Sequence, residues 1–251
     1  MSLHTILITG ATSGIGEALV REYSQPTNFL ILVGRCELKL KALCDNCQRS
    51  GTNAVYYVAN FESPSDVLTL SEEIATTHQV DLLISNAGVT SSTEKGQIED
   101  WDKIEALTAV NYRSAIAIAQ PFIHQMQRRG SGHIAYVSSL AAYRGMPLTP
   151  SYAASKAALK SYAEAMRGLL KPQSIHVSIV TPGFVKTAMS DQFPGDRPFL
   201  WSAERAASYI KHGLDRKKSY ISFPKLLTIG MKLLSCFPAW LSDNILARLR
   251  Y

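Results

Sequence analysis

Six times along these 251 residues a short apolar run gives way to a helical pattern. The runs are Thr5–Thr9, Phe29–Val33, Ala54–Val58, Asp81–Ile84, His133–Val137 and Ile175–Val180, and a seventh is expected at Ser219–Ser222. The second, Phe29-Leu30-Ile31-Leu32-Val33, has no polar residue on either side. Successive strand residues point to opposite faces, so such a run must be covered above and below, as in parallel sheets flanked by helices. Strands alternating with helices therefore predict an α/β chain: a doubly wound parallel sheet of Rossmann type, about seven strands, with helices on both faces. The length suits a single domain over 1–251.

Ligands of such sheets sit beyond the carboxyl ends of the strands, so the residues found there carry the argument. After the first run comes Gly10-Ala11-Thr12-Ser13-Gly14-Ile15-Gly16, then a helical stretch from Glu17 to Tyr23. A strand, a glycine turn and a helix start bring bare N–H groups and the positive end of the helix dipole to one place, a site for a dinucleotide pyrophosphate. Gly10 permits the turn, Gly14 a close backbone approach, and Gly16 tight helix–strand packing. The second run ends in Gly34-Arg35 with no carboxylate at its tip. An arginine there suits the extra phosphate of NADP(H), the favoured cofactor. Glu37 supports the opposite reading, NAD(H), unless it is only a first-turn acid favoured by the dipole. Asn60 follows the third run, as an adenine contact or an ordinary loop residue. Asn86-Ala87-Gly88 follows the fourth and Pro182-Gly183 the sixth, both small enough for a ligand to approach.

The fifth run ends in Ser138 and Ser139, and Tyr152 and Lys156 stand four apart near the start of the next helix. Residues i and i+4 share a helix face, so Lys156 can lie beside Tyr152 and pull its phenol below the usual value near 10. A phenol tuned in that way can exchange a proton with a carbonyl or alcohol oxygen. Ser139 can hydrogen-bond the same oxygen. Asn111 is a misfit inside the helix expected from Trp101 to Arg129, and either a water or a neighbouring carbonyl could satisfy it.

Taken together, Thr9 to Gly16, Asn86-Ala87-Gly88, Asn111, Ser139, Tyr152 to Lys156, and Pro182-Gly183 with Thr187 resemble the short-chain dehydrogenase/reductase family. The resemblance covers residues 5 to about 190. It implies hydride transfer between NADP(H) or NAD(H) and a carbonyl or alcohol substrate. Tyr152 would be the general acid of reduction. Lys156 would lower its pKa and bond the nicotinamide ribose, Ser139 would position the substrate oxygen, and Asn111 would hold a relay water. Ile15, Val185 and Thr187 would touch pyrophosphate or carboxamide. A homodimer or homotetramer is implied as well. The chain departs from the family at Ser85 and Asn60, where many members carry asparagine and aspartate. A non-catalytic NADP(H) sensor would have no use for Ser139, Tyr152, Lys156 and Asn111.

The remaining features narrow the alternatives. The formal charge of +6 suits an anionic cofactor or surface. The basic residues are scattered without a nucleic-acid motif, so no nucleic-acid partner is expected. Cys44 and Cys47 lie inside a helical pattern without further ligands, so no metal is expected. The N-terminus enters a strand at once and no apolar stretch reaches spanning length, which reads as cytoplasmic. Ser63-Pro64-Ser65-Asp66 predicts a helix start capped by Ser63 and answered by Asp66. Residues 187–201 are expected to form a substrate flap, with Ser202 capping the next helix. Residues 223–251 form an apolar helical extension: cover for the sheet or a subunit interface, a wall for a lipophilic substrate, or a peripheral membrane contact.

Overall fold

The computed structural model describes residues 4–93 and 97–248. In chain order the first half runs β1 His4–Thr9, α1 Gly14–Tyr23, β2 Asn28–Gly34, α2 Glu37–Arg49, β3 Asn53–Val58, α3 Pro64–Thr77 and β4 Leu82–Ser85. Then come α4 Trp101–Thr108, α5 Ser114–Ala117, α6 Gln120–Arg129, β5 Gly132–Val137, α7 Pro150–Leu170 and β6 Ile175–Pro182. The chain continues through α8 Ala203–Asp215, β7 Tyr220–Phe223, α9 Lys225–Cys236 and α10 Ala239–Arg248. Residues 249–251 of the expected extension lie outside the described residues.

The seven strands form one sheet in the order β3-β2-β1-β4-β5-β6-β7, and every pairing is parallel. The strands alternate as their sequence requires. Ile6, Ile8, Leu30 and Leu32 join α1, α2 and α8 on one face, while Leu7, Ile31 and Val33 join α3, α5, α6 and α7 on the other. All seven side chains are fully buried, each contributing about 1.5–3 kcal/mol of burial free energy. The order reverses between β1 and β4, so the ends of these neighbours open a crevice, the usual ligand position in such sheets.

Two local expectations, both about helices, are corrected. The helix expected from Trp101 to Arg129 is three pieces, with a π-helical turn at Ala109–Arg113 and a break before α6. Pro121 lacks an N–H and cannot continue the helix before it. Ser63 occupies the N-cap of α3, but its hydroxyl pairs with Ser65 Oγ (3.2 Å) and makes no cap bond. The flap is pinned at its base: Val185 and Trp201 form a β-bridge, and Trp201 stacks on Phe223 at 4.8 Å between ring centroids. Ser202 caps α8 as expected, accepting from Arg205 N.

Candidate active site

The cradle forms where β1 and β4 end side by side. Buried Thr9 Oγ1 accepts from the N–H groups of Asn86 and Ala87, each at 2.9 Å, and Asn86 Nδ2 donates to the Thr9 carbonyl at 3.0 Å. Asn86 thus stitches the strand ends together. Gly10 and Gly14 sit at φ +64° and +54°, a left-handed conformation that side chains resist. A Cβ on Gly16 would stand 2.0 Å from the Gly10 carbonyl oxygen. Ser13, the N-cap of α1, makes no side-chain cap bond. The first-turn N–H groups of α1 therefore keep their capacity for an outside acceptor. Close backbone, free donors and a helix dipole fit a nicotinamide dinucleotide, and these residues would hold its pyrophosphate.

The acid–base group comes from β5 and α7. Ser139, at the tip of β5, lines the cavity with Tyr152, and its Oγ accepts from Ala141 N at 3.2 Å. Lys156 is buried beneath, its Nζ donating to the Val137 carbonyl at 3.0 Å and lying 5.9 Å from the Tyr152 ring centroid. Gly88 leaves room for this ammonium: a Cβ there would meet Asn111 Oδ1 at 3.1 Å and Lys156 Nζ at 3.2 Å.

The expected tuning is corrected in sign. Burial pushes the Tyr152 phenol up, and the neighbouring Ser139 hydroxyl pulls it only part of the way back. The ammonium bears the cost instead: burial brings Lys156 down to about 8. The reason is desolvation, which disfavours both charged forms. Asn111 sits in the π-helical turn with no exposed surface. Its Oδ1 accepts from Val89 N, and its two N–H donors go to the Val89 carbonyl and Ser155 Oγ. Protein partners thus use both donors, and only acceptor capacity on Oδ1 is left on the side chain for a water. Ser138 separates from Ser139, since its buried hydroxyl donates to the Lys156 carbonyl (2.7 Å) and ties β5 to α7.

These groups border a cavity of about 710 Å³. Its lining includes Gly10, Thr12, Ser13, Gly14, Ile15, Asn86, Ala87, Gly88, Ser139, Tyr152, Lys156, Pro182, Gly183, Val185 and Thr187. Gly16, Arg35, Asn60 and Asn111 are not in the lining. Arg35 is exposed at the tip of β2, with Glu62 at 3.9 Å. Asn60 folds back on its own loop, its Oδ1 accepting from Glu62 N, which is the ordinary loop reading.

Of three further contributions, sequence reasoning missed two, Lys39 and Glu99, and offered the third, a wall from the extension, as one of several readings. Lys39, in the first turn of α2, lines the cavity near the glycine loop; its place two residues after Glu37 was the available signal. Leu227, Met231 and Leu234 of α9 and Leu246 of α10 form an apolar wall. Glu99 accepts from Ser91 Oγ, Ser151 Oγ and Ser151 N, pinning the start of α7 two residues from Tyr152. It lies 52 residues from Ser151, and nothing local marks it. The buried thiols of Cys44 and Cys47 are pushed up by burial, and no cluster of metal ligands occurs among the described residues.

Residues 4–197 match a family model described as short chain dehydrogenase. An uncharacterized oxidoreductase of Myxococcus xanthus is 30% identical over 253 residues, covering 100% of this chain and 99% of the relative. Among solved structures, a short-chain dehydrogenase from Sphingobium yanoikuyae in complex with NADPH superimposes with a TM-score of 0.81 at 24% identity, over 89% of this chain and 88% of that one. A short chain dehydrogenase/reductase from Burkholderia phymatum in complex with NAD gives 0.83 at 20% identity, over 92% of each.

Proposed function

This chain belongs to the short-chain dehydrogenase family, and from that premise we propose that it is an NADP(H)-dependent reductase of a bulky, lipophilic carbonyl compound. The observation that carries the substrate reading is the wall of Leu227, Met231, Leu234 and Leu246 in the same cavity as Tyr152 and Ser139. A pocket with one polar end and broad apolar sides orients a ligand by its single polar atom.

When bound, the nicotinamide supplies hydride; the chain supplies the proton and its control. Tyr152 donates its phenolic proton to the carbonyl oxygen, and Ser139 can turn its hydroxyl onto that oxygen as charge develops. A phenol held above its usual pKa stays protonated at neutral pH. Lys156, protonated below about 8, keeps positive potential beneath the site.

Cofactor choice rests on charge around the tip of β2. Arg35 and Lys39 are exposed there, and the acid beside Arg35, Glu62, is a long 3.9 Å away and itself exposed, an arrangement that supports NADP(H). Glu37, which NAD(H) would require at the ribose, accepts a long hydrogen bond from Tyr56 (3.5 Å). Side-by-side titration of the purified protein with NADPH and NADH tests the choice. Tighter NADPH, by about tenfold or more, is expected for a phosphate held by two cations; the reverse ranking transfers the site to Glu37 and NAD(H).

A further inference from the structure

Helix α9 is apolar on two opposite sides. One side, Leu227, Met231 and Leu234, lines the cavity. The other carries Leu226, Ile229 and Leu233, which are 64%, 56% and 55% exposed, and the row continues through Phe237 to Trp240, 68% exposed. Within α9 those spacings of three and four residues put Leu226, Ile229 and Leu233 on one helical stripe; Phe237 and Trp240 follow past the helix end at Cys236, on the turn and on α10. Gly230 lies within the stripe, and a Cβ there would meet nothing within 4 Å. An apolar helix face is ordinarily buried, and a contiguous exposed one marks an interaction surface.

The charge around this stripe selects its partner. Residues 225–248 contain the cations Lys225, Lys232 and Arg248 and one acid, Asp243. That acid is already bonded to Arg144 at 2.7 Å. Lys225 and Lys232, seven residues apart and both exposed, flank the stripe on one side, the ammonium of Lys232 standing over the rings of Tyr143 and Tyr220 at 5.6 and 5.8 Å from their centroids. In a twofold contact with a second copy the same patch would meet itself, cation against cation, with no spare acid to pair. A sheet of anionic headgroups over hydrocarbon complements both the lysines and the leucines.

We propose that the outer face of α9 and α10 rests on the surface of an anionic phospholipid bilayer. No helix among the described residues is long and apolar enough to cross a membrane, so the contact is peripheral. Trp240 has the amphipathic ring suited to headgroup depth. The flap reaches the same region: Phe199 lines the active cavity and also a second hollow of about 490 Å³ that Leu200 and Lys225 share. Exposed Phe199 and Leu200 would meet the lipid beside the cavity. Entry of substrate from the bilayer rests on the lipophilic reading of the pocket; the docking itself does not, because vesicle binding needs no turnover.

The test is flotation of the full chain with phosphatidylcholine vesicles, with and without about 30% phosphatidylglycerol, at low and high salt. Co-flotation with the anionic vesicles, lost as salt rises, is expected. An Ile229→Ser/Leu233→Ser variant should partition at least about tenfold less while keeping its NADPH affinity and melting temperature. Trp240→Ser, which alters a largely exposed ring, gives the same reading should the double variant fold poorly. Wild-type protein that stays in the dense fraction at low salt overturns the proposal. So do variants that float as well as wild type. If wild type ignores vesicles and the double variant halves the mass by light scattering, the face belongs to a second copy and the proposal is wrong.

Discussion

Replacing Lys156 by methionine isolates the cost of holding an ammonium inside this fold. The residue is 4% exposed, and burial lowers its pKa from the ordinary 10.5 to about 8. At about 1.4 kcal/mol per pH unit, that difference is about 3 kcal/mol of destabilisation carried by the charged form in the native state. Methionine has similar length and no charge, but it loses the 3.0 Å hydrogen bond to the Val137 carbonyl, at a cost of about 1–1.5 kcal/mol. At pH 7 the variant should therefore be more stable than wild type by about 1–2 kcal/mol. The pH dependence has a fixed sign. Between about 8 and 10.5 the unfolded chain keeps the lysine proton and the native chain does not. The unfolded state then binds more protons, and wild-type stability rises with pH relative to the variant. The advantage of the variant should shrink through this window, vanish at about pH 9.5 and reverse by about pH 10, where the lost hydrogen bond is the main remaining difference. Urea unfolding of both proteins at pH 7 and pH 10, followed by circular dichroism, measures it. A variant less stable at pH 7 by more than about 1 kcal/mol, or a difference that ignores pH, would refute the claim that this ammonium is desolvated. Turnover should fall by about a hundredfold or more in the same variant, so stability and activity move in opposite directions.

Tyr152→Phe should lower kcat by about 10²–10⁴-fold with the NADPH dissociation constant unchanged; intact turnover would remove Tyr152 as proton donor. Arg35→Ala combined with Lys39→Ala should weaken NADPH by about tenfold or more and leave NADH alone, read by fluorescence titration. Leu234→Ala removes a buried side chain between α9 and the cavity, so it should cost about 2–5 kcal/mol in urea unfolding and raise KM for bulky ketones more than for small ones.

Much of the scaffold was legible because its signals are local. Leu30-Ile31-Leu32-Val33 reads as doubly covered from the sequence, and it divides between the two faces as period two demands. The glycine turn and the Tyr152–Lys156 spacing are equally local, and both line one cavity. The sign of the tyrosine's pKa was not legible. Helical spacing states which residues share a face; it does not state that the Val137 carbonyl accepts a hydrogen bond from Lys156 or that both groups lose their water. Asn111 was open between a carbonyl and a water, and the backbone of Val89, 22 residues away, takes its side chain. In the extension, sequence shows leucines on nearly every side of the helix. The tertiary fold selects Leu227 as an inward one by bringing it against Gly183, where a Cβ would stand 3.0 Å from Leu227 Cδ2.

The most direct test of the central claim is kcat/KM for a series of ketones of increasing apolar bulk, measured with NADPH and with NADH on one preparation. The account predicts turnover with NADPH that rises with ketone bulk and falls by about tenfold or more with NADH. Turnover that favours NADH, or that is confined to small polar carbonyls, would contradict it.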